Sequence, residues 1–291
     1  GVSGLAMRRI DLPSTKGEPL GATEVKIGQR DARYGWSYVP STSTVIPTGS
    51  DKTPTVYAIN AQGDRARAVD DLPDPEAPTL VFAGESITAG HGLPFDSSYP
   101  ALVGTALGLQ VVDLGVHGYG SDQAYLRTVD ALPHLSRVVA IVTLFFEPML
   151  ERMTHDTHPR FVLDGDALQL APTGSTSGFF ERLRLVRVWR SLVPYHDDAT
   201  IDVARAVVRA TAAAARGRDA FPLFVQPWTG DEPPPHADQW LLDALFTEQG
   251  LPYVVAPIGS GHIPGDVHPD AEATRRLADV VVPVLRKGIG R

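Results

Sequence analysis

From residue 79 onward, short apolar runs alternate with longer stretches of helical periodicity, and no other feature restricts this chain as tightly. The runs Thr79–Ala83, Gln110–Leu114, Arg137–Phe145, Pro222–Gln226 and Tyr253–Ala256 read as strands buried on both faces. Between or after them, Tyr99–Leu107, Asp122–Leu132, Phe179–Leu192, Ile201–Arg216, Ala237–Glu248 and Asp270–Arg286 read as helices. Strands joined through helices pair in parallel with right-handed crossovers. The expected fold class is therefore α/β, a three-layer αβα sandwich around a parallel five-stranded sheet. A chain of 291 residues with 43% hydrophobic content can bury one such core and carry an accessory segment besides. In open sheets of this kind ligands bind beyond the carboxyl ends of the strands, which says where chemistry is to be sought.

Residues 1–76 have a different texture, rich in Gly, Pro, Ser and Thr, with short candidate strands at Ser43–Ile46 and Thr55–Ile59. This is read as a loop-rich, partly β arm. The proline-punctuated connector Asp70–Pro78 favours extended and turn backbone, so the boundary is set there, with 1–76 as arm and 77–291 as the main α/β domain.

The net charge of −8 comes from acidic residues scattered along the chain, which argues against nucleic acid or an anionic membrane as partner, since both select basic patches. The absence of cysteine removes disulfides, thiolate metal sites and a cysteine nucleophile. No stretch approaches the roughly 18 apolar residues of a membrane span. The first residue is Gly rather than Met, which leaves open a removed signal or anchor. Neither cofactor nor metal is expected, and oligomeric state is not legible.

Three segments could carry chemistry. Gly84-Glu85-Ser86-Ile87-Thr88-Ala89-Gly90 follows the first strand and exposes a serine hydroxyl at the mouth of the sheet. An N-capping serine is the plain alternative. Asp113–Gln123 follows the second strand, and its closely spaced glycines let backbone amides approach a ligand. Gly265-Asp266-Val267-His268-Pro269-Asp270 precedes the last helix, where an aspartate two residues from a histidine can hold the ring's tautomer.

In chain order and in position after strands, these segments together resemble the SGNH hydrolase (GDSL-like esterase) superfamily, of the bacterial, envelope-associated type. The likeness reaches into the arm at Arg33–Pro40 and Tyr57–Arg65 and covers residues 30 to 285 or so. The resemblance implies a flavodoxin-like sheet and a serine esterase, hydrolysing or transferring an acyl group through an acyl-enzyme on Ser86. His268 would act as base and Asp266 as its orienter. The backbone amides of Ser86 and Gly118 would form the oxyanion hole, with Gln123 as a candidate further donor. The substrate would be a small-molecule or glycan-linked ester, and the location periplasmic, extracellular or envelope-associated. The chain departs from the family in two places: Glu85 stands where aspartate is usual, and Glu147 or Pro148 where an asparagine would complete the oxyanion hole.

Two readings compete. A catalytically weak or inactive domain that binds an acylated glycan is supported by the missing asparagine alone. A metal hydrolase could draw on Thr154-His155-Asp156-Thr157-His158-Pro159, although without helical periodicity or a third ligand nearby this reads as a polar loop. Trp228, Trp240 and Phe179-Phe180 could line an acyl pocket, but such aromatics are more often core and are given no role.

Overall fold

The computed structural model describes residues 27–155, 157–171, 198–229 and 236–290. The expected helix over Phe179–Leu192 lies outside them.

Five parallel strands form the centre: β6 (Thr79–Ala83), β7 (Gln110–Asp113), β8 (Val138–Leu144), β11 (Phe221–Trp228) and β12 (Tyr253–Pro257). They lie in the order β12-β11-β8-β6-β7, the flavodoxin-like arrangement in which the first strand sits between the second and third. All residues of β6 are buried, as expected of a parallel strand covered on both faces. Its side chains alternate accordingly. Leu80 and Phe82 join a core with Tyr99 and Val103 of α1 (Tyr99–Leu107) and with Leu277, Val281 and Leu285 of α6 (Ala271–Gly288). Val81 packs on the opposite side with Val112, Ile141 and Ala215, under α2 (Ser121–Ala131) and α4 (Asp198–Arg216). Helix pairs α1 with α6 and α2 with α4 thus form the two outer layers.

The arm does not stand apart from this sheet. Strands β3 (Thr42–Thr48), β4 (Thr53–Ile59) and β5 (Arg65–Ala66) continue it antiparallel beyond β7 and make an eight-stranded mixed sheet. The hairpin β1 (Gly28–Asp31) and β2 (Gly35–Tyr38) lies beside it. Trp36, Tyr38, Ile46, Tyr57 and Ile59 of the arm share a core with Ala89, Val116 and Tyr119 from loops after β6 and β7. Polar docking is just as extensive. Buried Arg127 of α2 reaches Asp64 at 2.8 Å, and the Arg65 guanidinium donates to four backbone carbonyls, those of Ala58, Ala66, Val56 and Leu93.

A second hairpin, β9 (Arg160–Asp164) and β10 (Ala167–Ala171), was not expected. Its signal was present: Gly165-Asp166 joins two apolar runs, and Gly165 takes φ 59°. Two further elements complete the described chain. α3 (Glu147–Arg152) follows β8, and α5 (His236–Leu242) runs into a π-helical turn at Asp243–Thr247, within the stretch expected to be helical.

The backbone between β6 and Ser86 tolerates little change. A Cβ on Gly84 would come within 2.2 Å of Thr88 Oγ1 and 2.8 Å of Leu144 Cβ, far inside contact distance. Overpacking of this kind typically costs about 1–3 kcal/mol. Gly84→Ala is therefore expected to lower the free energy of unfolding by that amount, read as a fall in the urea midpoint at unchanged m value. A wild-type midpoint would show that the β6 turn yields more readily than the packing implies.

Candidate active site

The carboxyl ends of the parallel strands hold the serine, glycine-rich and aspartate–histidine segments singled out in the sequence. Ser86 lies three residues past β6, where Gly84 lets the chain turn closely against Thr88 and Leu144. The loop Gly115–Gly120 follows β7, with Gly118 at φ 75°. The loop between β12 and α6 brings in Asp266 and His268, and Asp270 caps that helix by accepting from the Ala273 N–H at 2.9 Å.

Two segments separated by 182 residues meet here, with His268 Nε2 2.8 Å from Ser86 Oγ. The other ring nitrogen, Nδ1, lies 2.5 Å from Asp266 Oδ1, which also accepts from the His268 backbone N–H at 3.0 Å. Because a carboxylate only accepts, Nδ1 carries the proton and Nε2 presents a lone pair to the serine. Partial burial pushes the Asp266 carboxyl up, but hydrogen bonds from the His268 ring and backbone, together with the neighbouring imidazoles, outweigh this and hold it well below the usual range. Of the other histidines, His262 Nδ1 donates to the Ser260 carbonyl at 2.7 Å, and both ring nitrogens of His117 are engaged, by His91 and Tyr38.

The Ser86 hydroxyl has a second acceptor. It donates to Glu85 Oε2, so one proton is shared between Glu85 and His268. The same Glu85 oxygen takes Arg152 Nη1 at 3.4 Å, and that nitrogen also reaches the Tyr119 carbonyl at 3.3 Å. Arg152 ends α3, the helix opened by Glu147 and Pro148 at the family's asparagine position. Glu147 is exposed at the N-terminus of that helix, where its charge complements the helix dipole, and with Pro148 it borders the cavity in front of Ser86. The cavity has a volume of about 400 Å³, and Trp228 and Trp240 stand on its wall. Phe179-Phe180 lies outside the described residues.

Among the described residues, no acceptor is paired with the backbone N–H of Ser86 or Gly118. Gln123 is differently employed. Its Oε1 accepts from Gly120 N at 2.9 Å and its Nε2 donates to the Tyr34 carbonyl at 2.7 Å, so the side-chain amide is committed to capping α2 and holding the arm.

His91, from the Gly90-His91-Gly92 turn, was not singled out in the sequence. Its Nε2 lies 3.2 Å from Asp266 Oδ2, and its ring stacks on His268 at 3.9 Å between centroids. Arg152 and Tyr38 were also passed over, because nothing in their local sequence points toward a serine 66 or 48 positions away. Among the described residues, the ligating atoms of His91, Asp266 and His268 lie within 4.8 Å of one another. Each Asp266 oxygen already accepts an imidazole N–H, so the nitrogens facing it carry hydrogen rather than a lone pair a cation could use. The loop at 154–159 is no cation cage among its described residues either: His158 is buried on Asp122 Oδ2 at 3.1 Å, whereas His155 lies 4.0 Å from Glu151.

No family model and no curated protein matches this sequence. Solved structures similar in arrangement include an acetyl xylan esterase from Butyrivibrio proteoclasticus, with 13% identity, TM-score 0.44 and 75% of this chain covered. The chain spans 66% of the length of that esterase. A carbohydrate acetylesterase, Est24 from Sinorhizobium meliloti, is 14% identical with TM-score 0.44, covering 72% of this chain and 99% of that one. A putative lipolytic protein of the G-D-S-L family from Desulfitobacterium hafniense is 12% identical with TM-score 0.40, covering 71% and 98%. Likeness of this size does not extend to chemistry.

Burial, and secondarily the neighbouring His268, lower His91 from its ordinary 6.5 to about 4, against the opposing pull of Asp266. A histidine depressed on folding binds its proton more readily when unfolded, so its contribution to stability is complete above pH 6.5 and is lost as pH falls toward 4. The melting temperature should therefore drop between these values and drop less in His91→Gln. Part of the slope should remain, because burial and His91 itself also lower His117 well below its usual value. Identical slopes in both proteins would show that His91 is not buried in its neutral form.

Proposed function

We propose that this chain is a serine esterase of the SGNH type, hydrolysing or transferring an acyl group from an ester through an acyl-enzyme on Ser86. The observation that carries the reading is the meeting of Ser86 Oγ, the bare Nε2 of His268 and Asp266 at the carboxyl end of the sheet. Ser86 Oγ attacks the ester carbonyl carbon as its proton passes to His268 Nε2, and the carbonyl π pair moves onto oxygen. The Asp266 carboxylate stabilises the imidazolium that results. The Ser86 and Gly118 N–H groups are the donors assigned to the oxyanion. Collapse expels the alcohol, which takes the proton from Nε2, and water or an acceptor hydroxyl then repeats the sequence to release the acyl group.

Arg152 has a defined part in this scheme. The Glu85 carboxylate that accepts from Ser86 Oγ competes with His268 for the hydroxyl proton and opposes negative charge nearby, and the Arg152 guanidinium on that same Glu85 oxygen weakens both effects. The alternative reading, a weak or inactive domain that binds an acylated ligand, draws support from that competing carboxylate and from the absence of a side-chain amide at Glu147 and Pro148.

Loss of the nucleophile in a serine protease costs about 10⁶ in turnover, and Ser86→Ala is expected to leave only background hydrolysis of an activated ester. A serine-directed phosphonate should label the wild type once and the variant not at all. Turnover that survives in Ser86→Ala would remove Ser86 as the nucleophile, whereas wild type that neither turns over nor labels would favour the binding-domain reading.

Hydrogen bonds to charged groups are worth about 1.5–3 kcal/mol, so Arg152→Gln should lower kcat by roughly 10- to 100-fold. If Arg152 acts by restraining Glu85, adding Glu85→Gln should recover most of that loss. A double variant as slow as Arg152→Gln alone would place the arginine's contribution elsewhere.

A further inference from the structure

Beyond the three residues assigned to catalysis, a row of buried polar groups runs from the arm to Asp266. His91 Nε2 is 3.2 Å from Asp266 Oδ2, His91 Nδ1 is 2.7 Å from His117 Nε2, and His117 Nδ1 is hydrogen-bonded to the Tyr38 hydroxyl. His91, His117 and Tyr38 are 6%, 4% and 1% exposed, so water offers little alternative to these contacts.

The protons in this row have only one consistent placement while both histidines are neutral. Asp266 Oδ2 can only accept, so His91 Nε2 carries hydrogen. A neutral His91 then has a bare Nδ1, to which His117 Nε2–H must donate. That leaves His117 Nδ1 bare, and the Tyr38 O–H fills it. Each bond sets the direction of the next, and all of them point toward Asp266.

We propose that Tyr38, His117 and His91 are positioning residues, a hydrogen-bond chain through which the arm orients the Asp266–His268 pair. The inference rests on the serine-esterase reading above. Asp266 is gripped on both oxygens, Oδ1 by His268 and Oδ2 by His91, which leaves the carboxylate no freedom to rotate. His91 also lies flat on the His268 ring, 26° from parallel, so it limits the swing of the base. A charged His91 would repel the imidazolium that forms on its neighbour. The polarity of the chain opposes that, because His91 Nδ1 is occupied as an acceptor.

Among the described residues, His91 faces His268, Asp266 and Glu85, His117 faces His91, His268, Arg65 and Asp266, and Tyr38 faces Tyr57, Arg65 and Asp113, while the Tyr38 and Tyr57 rings of the arm lie against the His117 ring. The arm fixes the surrounding backbone too. The Gly92 N–H donates to the Tyr57 hydroxyl at 2.5 Å, the Thr55 hydroxyl to the Gly92 carbonyl at 3.0 Å, and the Ser50 N–H to the Pro264 carbonyl at 2.6 Å, in the loop that carries Asp266.

The test compares Tyr38→Phe, His91→Leu and His91→Gln with wild type on an activated ester across pH, together with ¹⁵N shifts of the histidine rings. Both Tyr38→Phe and His91→Leu should lower kcat by about 3- to 30-fold while KM stays within about twofold. In His91→Leu, Asp266 loses a donor, its charge concentrates on the His268 side, and the acid limb should move to higher pH. Gln keeps an N–H for Asp266 without ring charge, so His91→Gln should recover much of the lost kcat and return the limb toward wild type. Variants that match wild type in kcat and limb would overturn the proposal. The ring shifts need no turnover: Nε2–H tautomers at His91 and His117 are expected, with that of His117 kept in Tyr38→Phe while its Nδ1 shift moves on losing the hydroxyl donor, and any other pattern in the wild type overturns it. An inactive wild type with the expected tautomers would defeat the esterase reading while leaving the chain of hydrogen bonds standing.

Discussion

The burial of β6 on both faces is the constraint from which the site's placement follows. Leu80 and Phe82 are enclosed on one side by α1 and α6, and Val81 on the other by the layer beneath α2 and α4, so the strand can move neither outward nor along its axis without opening a core. Parallel neighbours on both edges, β7 and β8, then bring their own carboxyl ends to the same rim. The chain changes direction across the sheet at β6, which creates a crevice there. Ser86 occupies the turn leading out of that strand, and close packing of Gly84 against Thr88 and Leu144 holds the turn. A hydroxyl at the end of a rigid strand is positioned before any ligand arrives, which is what catalysis by orientation requires.

Attached to this sheet is a second layer of constraint built largely from polar groups. Burying Arg65, Arg127, Asp64, His117 and His91 carries a desolvation cost, which is offset in part by the bonds from Arg65 to four backbone carbonyls and from Arg127 to the Gly63 carbonyl and Asp64. Apolar contacts alone would hold the arm to the sheet without specifying its register. A chain of directional bonds between β2 and Asp266 ties the arm's placement to the geometry around Asp266 and His268. The charges beside Ser86 follow a related logic, since the Ser86 hydroxyl and Arg152 both donate to one oxygen of Glu85 and neither charge can be understood without the other.

The parallel strands were legible because each is a run of apolar residues with helical periodicity on either side, and Thr79–Ala83 and Tyr99–Leu107 were read to the residue. Ser86, Asp266 and His268 were legible as well, by virtue of their place after strands and the spacing of the aspartate and histidine. The arm was read as partly β from Thr55–Ile59, but its pairing with β7 was not, because β5 is two residues long and meets β7 at a single residue pair, Arg65 with Asp113. No periodicity exists in two residues. Gln123 illustrates the reverse difficulty. Its position after the glycine turn suggested a donor to ligand, whereas the carbonyl of Tyr34, 89 residues away, supplies its acceptor.

What the sequence alone determined is therefore local: which segments are buried strands, which are helices, and which turns present a serine or a histidine at the sheet's rim. Periodicity and turn chemistry act over a few residues, so a few residues suffice to read them. The tertiary structure alone decided that His91 grips the second oxygen of Asp266, that Arg152 meets Glu85, and that Tyr38 ends a chain leading to the reaction centre. These contacts join residues 175, 67 and 79 positions apart. Hydrogen bonds form between whatever donors and acceptors folding buries side by side, and nothing in the neighbouring sequence of either partner specifies the other.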